Sequence, residues 1–341
     1  TGAADSTYVE KQVSDKDTCS FTDLQQGKDY TVKVTVEDDA GNVGVKEVSL
    51  TTDTIPDATS AGAITFSSIT WNSGKAEVEI KTGTSYYIEY QVNGTTGTWT
   101  RGKVAGANVT ATGLKHNDII YARLTDGTNT SSPATLTVVD SIKPNLKLTL
   151  SSDTSKIEAL ADATDNESGL DTAVVYKFYI KDSAGSYTLK QATTAKTCTF
   201  DGLEQNKNYT VKVEIQDIAG NVAVKEQTVL TKVLPSATSA GAINFGSVMW
   251  TSGKAKIEIS TTTNFYIEYQ VNGTSGTWIR ASKKGASIDA TGLSHNDIVY
   301  ARLTDGTNTS DSATATIVDT VKPTVNMTLT STTNKITAVV T

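Results

Sequence analysis

The chain nearly repeats itself. Residues 57–141 align without a gap on residues 236–320, with 57 of 85 positions identical and a period of 179 residues. A second kind of unit lies between these copies, at about 142–232. Its end matches the start of the chain, Phe21–Val43 on Phe200–Val222, and its beginning matches the chain's end, Ile142, Lys143 and Pro144 on Val321, Lys322 and Pro323. With the two kinds named A and B, the order is partial B (1–53), A (57–140), B (142–232), A (236–319), partial B (321–341). Residue 1 aligns on 180 and residue 341 on 162, so the two end pieces together lack the counterpart of 163–179. The expectation is a stretch of a longer tandem array, or ends completed by neighbouring chains. Near-identical copies weigh against an enzyme, because an active site needs one unusual constellation whereas a repeated scaffold needs the same packing many times.

Each unit reads as β-structure. Thr is the commonest residue, at 58 of 341, and no helix-length apolar period appears. In unit B, Tyr209, Val211, Val213 and Ile215 alternate with Thr210, Lys212, Glu214 and Gln216, the period of a half-buried strand. Seven strands are predicted there, near 145–151, 155–162, 171–181, 186–191, 196–200, 207–216 and 222–231. Unit A also gives seven, near 63–71, 74–81, 86–93, 98–102, 107–112, 118–125 and 133–139, with Asn93-Gly94 and Asp126-Gly127 as hairpin signals. Seven short strands in under a hundred residues mark a β-sandwich. Trp71 and Trp99, with their counterparts Trp250 and Trp278, are expected in the core or between the sheets.

Leu203 followed six residues on by Tyr209, and Leu24 followed by Tyr30, match the tyrosine corner of immunoglobulin-like and fibronectin type III-like sandwiches. The D-x-A-G-N ending at Asp217–Asn221, with Asp39–Asn42 as a shorter version, and the D-x-x-S-G stretch at Asp165–Gly169 resemble tandem Ig-like repeats of large bacterial cell-surface proteins. Unit A departs from the pattern, with Ile120 and Val299 where the tyrosine would stand. The resemblance implies an all-β fold, tandem seven-stranded sandwiches forming an elongated rod, and an extracellular location. Such modules serve as stalks, spacers and adhesive tips alike.

The residues offer little for catalysis. His116 and His295 occupy equivalent L-x-H-N-D stretches, but no nucleophile motif accompanies them, and a polar turn explains both. Cys19 and Cys198, one per B-type unit, read as small buried hydrophobes and form no disulfide within a unit. No enzyme is expected. A net charge of -7 disfavours nucleic acid, and no stretch is long and apolar enough to cross a membrane as a helix. The one cofactor the residues suggest is calcium. The 163–170 and 217–221 loops share an end of the sandwich and carry Asp165, Glu167 and Asp217, with Asp162 and Asn221 nearby, although ordinary Asx-turns account for the same residues. A glycan or host-surface ligand could stack on Tyr86, Tyr87 or Tyr266, where period two places Tyr87 on the opposite face from Tyr86 and Tyr90. The junctions are short and hold one proline each (Pro56, Pro144, Pro235 and Pro323), which stiffens them. Two functions fit: a structural stalk, filament or surface-layer-like fibre whose partners are further copies of the repeat, or adhesin or carbohydrate-binding accessory repeats.

Overall fold

The computed structural model describes residues 8–13, 16–173 and 176–341, and every regular element among them is a β-strand. The middle B unit is a sandwich of two antiparallel sheets. Asn145–Ser152, Lys156–Thr164 and Thr197–Asp201 form one, in that order. Thr188–Thr193, Tyr176–Asp182, Asn208–Gln216 and Val222–Leu230 form the other. The period-two strand turns Tyr209, Val211, Val213 and Ile215 inward, against Ile157, Ala159, Ala161, Cys198 and Phe200 of the facing sheet. Each large apolar side chain buried here contributes roughly 1.5–3 kcal/mol. The tyrosine corner closes as the spacing implied. The Glu204 N–H donates to Tyr209 Oη at 3.1 Å, and the Gln25 N–H donates to Tyr30 Oη at 3.0 Å. Leu203 packs against this core, and Leu24 is half-buried at the equivalent corner.

Unit A is also two antiparallel sheets, here of four strands each because one edge strand of the first is broken in two. Lys75–Lys81 pairs with Thr65–Phe66, Thr70–Asn72 and Val109–Leu114, while Ala134–Thr137, Ile119–Thr125, Tyr87–Val92 and Thr100–Arg101 form the second sheet in that order. The strand expected over 63–71 is interrupted. At the break Ser67 stays on the neighbouring strand, its N–H donating to Glu79 O and its hydroxyl accepting from Glu79 N. Ile120 and Val299 are fully buried where unit B has its tyrosine. The second A unit repeats the pairing.

Among the described residues three separate cores result, spanning residues 55–138, 146–229 and 237–317. The end segments form two-stranded hairpins, Asp29–Glu37 with Val43–Thr51 and Met327–Thr332 with Lys335–Val340. Their inner faces are open. Val34 is 55% exposed, whereas its counterpart Val213 is fully buried. For the same reason Cys19 is exposed while Cys198 is buried, so the expectation for the cysteines holds only where a second sheet covers them.

The tryptophans divide. Trp71 and Trp250 pack against the A cores, as expected. Trp99 and Trp278 lie outside those cores, with the Arg123 and Arg302 guanidinium groups 3.9 Å from their ring centres. The cause is the strand register. Glu89 lies opposite both Arg101 and Arg123, and two short ion pairs, 2.8 and 2.9 Å, hold it buried on the outer face. The indole is the lid of that charged cluster. Glu268, Arg280, Arg302 and Trp278 repeat it in the second A unit.

Candidate metal centre at a domain junction

Two kinds of junction join the units. At the B-to-A junction, neutral amides interlock. The Gln26 N–H donates to Asn129 Oδ1 (3.1 Å), Gln26 Nε2 to Thr130 O (3.1 Å) and Asn129 Nδ2 to Leu24 O (3.0 Å). Gln26 Oε1 accepts from the Ile55 N–H at 2.7 Å, which fixes the linker. The same four bonds recur at the next such junction through Gln205, Asn308, Leu203 and Leu234, at 2.9, 3.0, 3.0 and 2.7 Å. There Thr154 adds two more, its hydroxyl donating to Asp305 and its carbonyl accepting from Asn308. Burial works to raise the Asp305 carboxyl, but the Thr154 hydroxyl and the Asn308 amide outweigh it and hold it below the ordinary carboxylate range.

The A-to-B junction is built from carboxylates. Asp140 in the linker, Asp165 in the 163–170 loop and Asp217 in the 217–221 loop each place an oxygen within 4.8 Å of the others. Asp140 and Asp217 are only 3% and 1% exposed, and Asp165 is half-buried. Backbone turns hold all three. Asp140 accepts from the Ile142 and Ser168 N–H groups, Asp165 from those of Glu167 and Gly169, and Asp217 from the N–H and the side-chain amide of Asn221. Asn221 Nδ2 also reaches the carbonyls of Asp140 and Ile142, tying loop to linker. Burial, followed by the charges of Asp140, Asp217 and Glu167, pushes the Asp165 carboxyl above the usual range even though the Gly169 amide pulls it down.

The expected ligand set was Asp165, Glu167 and Asp217. The structure brings Asp165 and Asp217 together, with Asp140 as the third member. Glu167 contributes its backbone N–H and is not in the group. Asp162 points away and pairs with Lys196. In the first B-type segment the turn is carried by Asp38, which accepts from Asn42 as Asp217 does from Asn221, so the D-x-A-G-N stretch starts one residue earlier than read above. Asp140 had a sequence signal: Val139-Asp140 and Val318-Asp319 stand at the same place in both linkers, three residues before Lys-Pro. Each is held by a histidine, the Asp140 N–H donating to His116 Nδ1 and the Asp319 N–H to His295 Nδ1, both at 3.0 Å. His116 thus serves the linker. The carboxylate of Asp118 accepts from the Lys115 N–H and from Asn93.

The tyrosines proposed for stacking are engaged. Tyr86 packs on the A core together with Tyr90. Tyr87 and Tyr266 lie on the outer face, half-buried, and carry Arg101 and Arg280 over their rings at 5.6 and 5.4 Å.

No protein-family model matches the chain, and no curated protein matches its sequence. Among solved structures it is similar to the crystal structure of the FN1–FN3 domains of chicken CNTN1, at 13% identity and a TM-score of 0.26, over 76% of this chain and 99% of that one.

Proposed function

We propose that this chain is part of a non-catalytic, extracellular rod of a bacterial surface, a stalk, filament or surface-layer-like fibre whose neighbours are further copies of the same repeat. The observation that carries this reading is the B-to-A latch. Two junctions 179 residues apart use the same glutamine, the same asparagine and the same four hydrogen bonds. A flexible tether needs no such fixing, and a catalytic centre needs one special constellation rather than a repeated joint. Saturated amide pairs at each B-to-A joint favour a set angle between those two sandwiches. The guanidinium groups over Tyr87 and Tyr266 weigh against an aromatic sugar platform on unit A.

Small-angle X-ray scattering tests the shape. Sandwiches about 30 Å long stacked end to end make a rod of about 100 Å or more, with a radius of gyration of at least about 30 Å. A 341-residue globule would give about 20 Å. The double variant Asn129→Ala, Asn308→Ala should keep its strand content while its scattering shows bending. A value near that of a globule, or a double variant as stiff as the parent, refutes the rod. Immunogold labelling of cells that make the protein tests the location, and label confined to the cytoplasm refutes it.

A further inference from the structure

Asp140, Asp165 and Asp217 form an electrostatic problem that the protein alone does not solve. Three carboxylates lie within 4.8 Å of one another, two of them almost fully buried. Among the described residues no lysine or arginine pairs with any of them. Buried carboxylates at this spacing repel strongly unless a proton or a cation intervenes. Two further oxygens at the same place have no partner. Asp165 Oδ2 is buried and accepts nothing. Ser168 is only 8% exposed, its N–H sits on the Asp140 carboxylate, and its own hydroxyl is without a hydrogen bond.

We propose that these groups bind one calcium-type divalent cation, with Asp140, Asp165 and Asp217 as charged ligands and the Ser168 hydroxyl beside them. The donors are all hard oxygens, with no histidine or cysteine in the group, which excludes a zinc-type preference. They come from a linker and two loops of irregular geometry, a setting calcium accepts and magnesium, with its strict octahedron and tightly held waters, does not. The ion would sit between the end of unit A and two loops of unit B, so it would bind the linker to the sandwich. Binding stands independently of the rod reading.

The repeat makes the proposal quantitative. Asp319 is the counterpart of Asp140 and makes the same turn, accepting from the Val321 N–H at 2.9 Å, and Asp38 is the counterpart of Asp217. Each end of the chain therefore carries a fragment of the site, and the described residues hold one complete triad. Isothermal titration of the full chain with calcium chloride should give one site per chain, with an affinity of about 10⁻⁴–10⁻³ M or tighter. Asp165→Asn, which keeps the oxygen that accepts from Glu167 and Gly169, should weaken binding at least about tenfold, and Asp140→Asn likewise. Asp162→Asn, at an exposed acid of the same unit, should leave it unchanged. Circular dichroism checks that the variants fold, and the isosteric Asp165→Asn serves if Asp140→Asn does not. Absence of binding at millimolar calcium, weak multiple sites unaffected by Asp165→Asn, or equal affinity for magnesium each overturns the assignment.

Discussion

Replacing Asp165 by Asn should stabilise unit B without calcium and stabilise it much less with calcium. Asp165 is raised by burial first and then by the charges of Asp140, Asp217 and Glu167. A carboxyl raised by folding adds stability below its unfolded pKa, and that stability is lost as pH rises through its folded value. At pH 7 without metal the ionised group therefore opposes folding. Two unit charges 4.8 Å apart repel by about 3.5 kcal/mol at an effective dielectric constant of 20 and by about 0.9 kcal/mol in water. Asp165 is half-exposed and faces two such charges, so the lower figure governs and the total is about 2 kcal/mol. For a domain of this size that corresponds to a melting shift of about 8–16 °C. In chelator at pH 7 Asp165→Asn should melt higher than the parent, and in saturating calcium that advantage should shrink by about 1.4 kcal/mol for a tenfold loss of affinity, because a ligand is gone. The advantage in chelator should shrink as pH falls and Asp165 takes up its proton in the parent. Differential scanning calorimetry is the assay, and the sequence supplies a control. All four tryptophans, at 71, 99, 250 and 278, lie in the A units, so tryptophan fluorescence follows those units while calorimetry also sees unit B. The calorimetric transition should move and the tryptophan transition should move less. A shift of the same size in both buffers refutes the argument, since simple loss of packing or of hydrogen bonds would not depend on calcium.

Tyr209→Phe removes the acceptor of the Glu204 N–H at the corner of unit B and should cost about 0.5–1.5 kcal/mol in chemical denaturation followed by tyrosine fluorescence; an unchanged midpoint would show that the corner is carried by packing alone. Glu268→Gln leaves Arg280 and Arg302 without their buried counter-charge and should lower the stability of the second A unit by about 1–3 kcal/mol, with a shift in the emission of Trp278 beneath Arg302. An unshifted spectrum and melting point would mean that the outer-face cluster contributes only to the surface.

What could be read from sequence is what depends on local period. Tyr209, Val211, Val213 and Ile215 point inward because every second side chain of a strand does, and no partner need be known to say so. The corner tyrosine was legible from its spacing to Leu203. Trp99 was not, because its place depends on which residues of two other strands stand beside Glu89, and a large indole reads as core until that register is known. Asp140 was missed for a related reason. Its partners Asp165 and Asp217 lie in two loops that only the folded sandwich brings to the linker, whereas Glu167 stands two residues from Asp165 in the chain. The break at Ser67 depends on a hydroxyl standing in for a strand partner, which a period cannot report.

The two junctions place different chemistry in alternation along the chain. From B to A the joint is closed by the amides of Gln26 and Asn129, whose donors and acceptors are satisfied within the protein, and at the second such joint the Asp305 carboxylate accepts from the Thr154 hydroxyl. From A to B the joint gathers carboxylates and leaves two buried oxygens unpartnered, so it is incomplete without a cation or a proton. A latch of neutral hydrogen bonds keeps its strength in chelator, whereas a cluster of acids gains or loses its attraction with the ion. The central B unit is thus tied to the A unit that follows it by a latch complete in itself and to the A unit that precedes it by the carboxylates that the proposed cation would join. If the proposed ion binds there, removing calcium should loosen the joint at Asp140 while the latch through Gln205 and Asn308 holds.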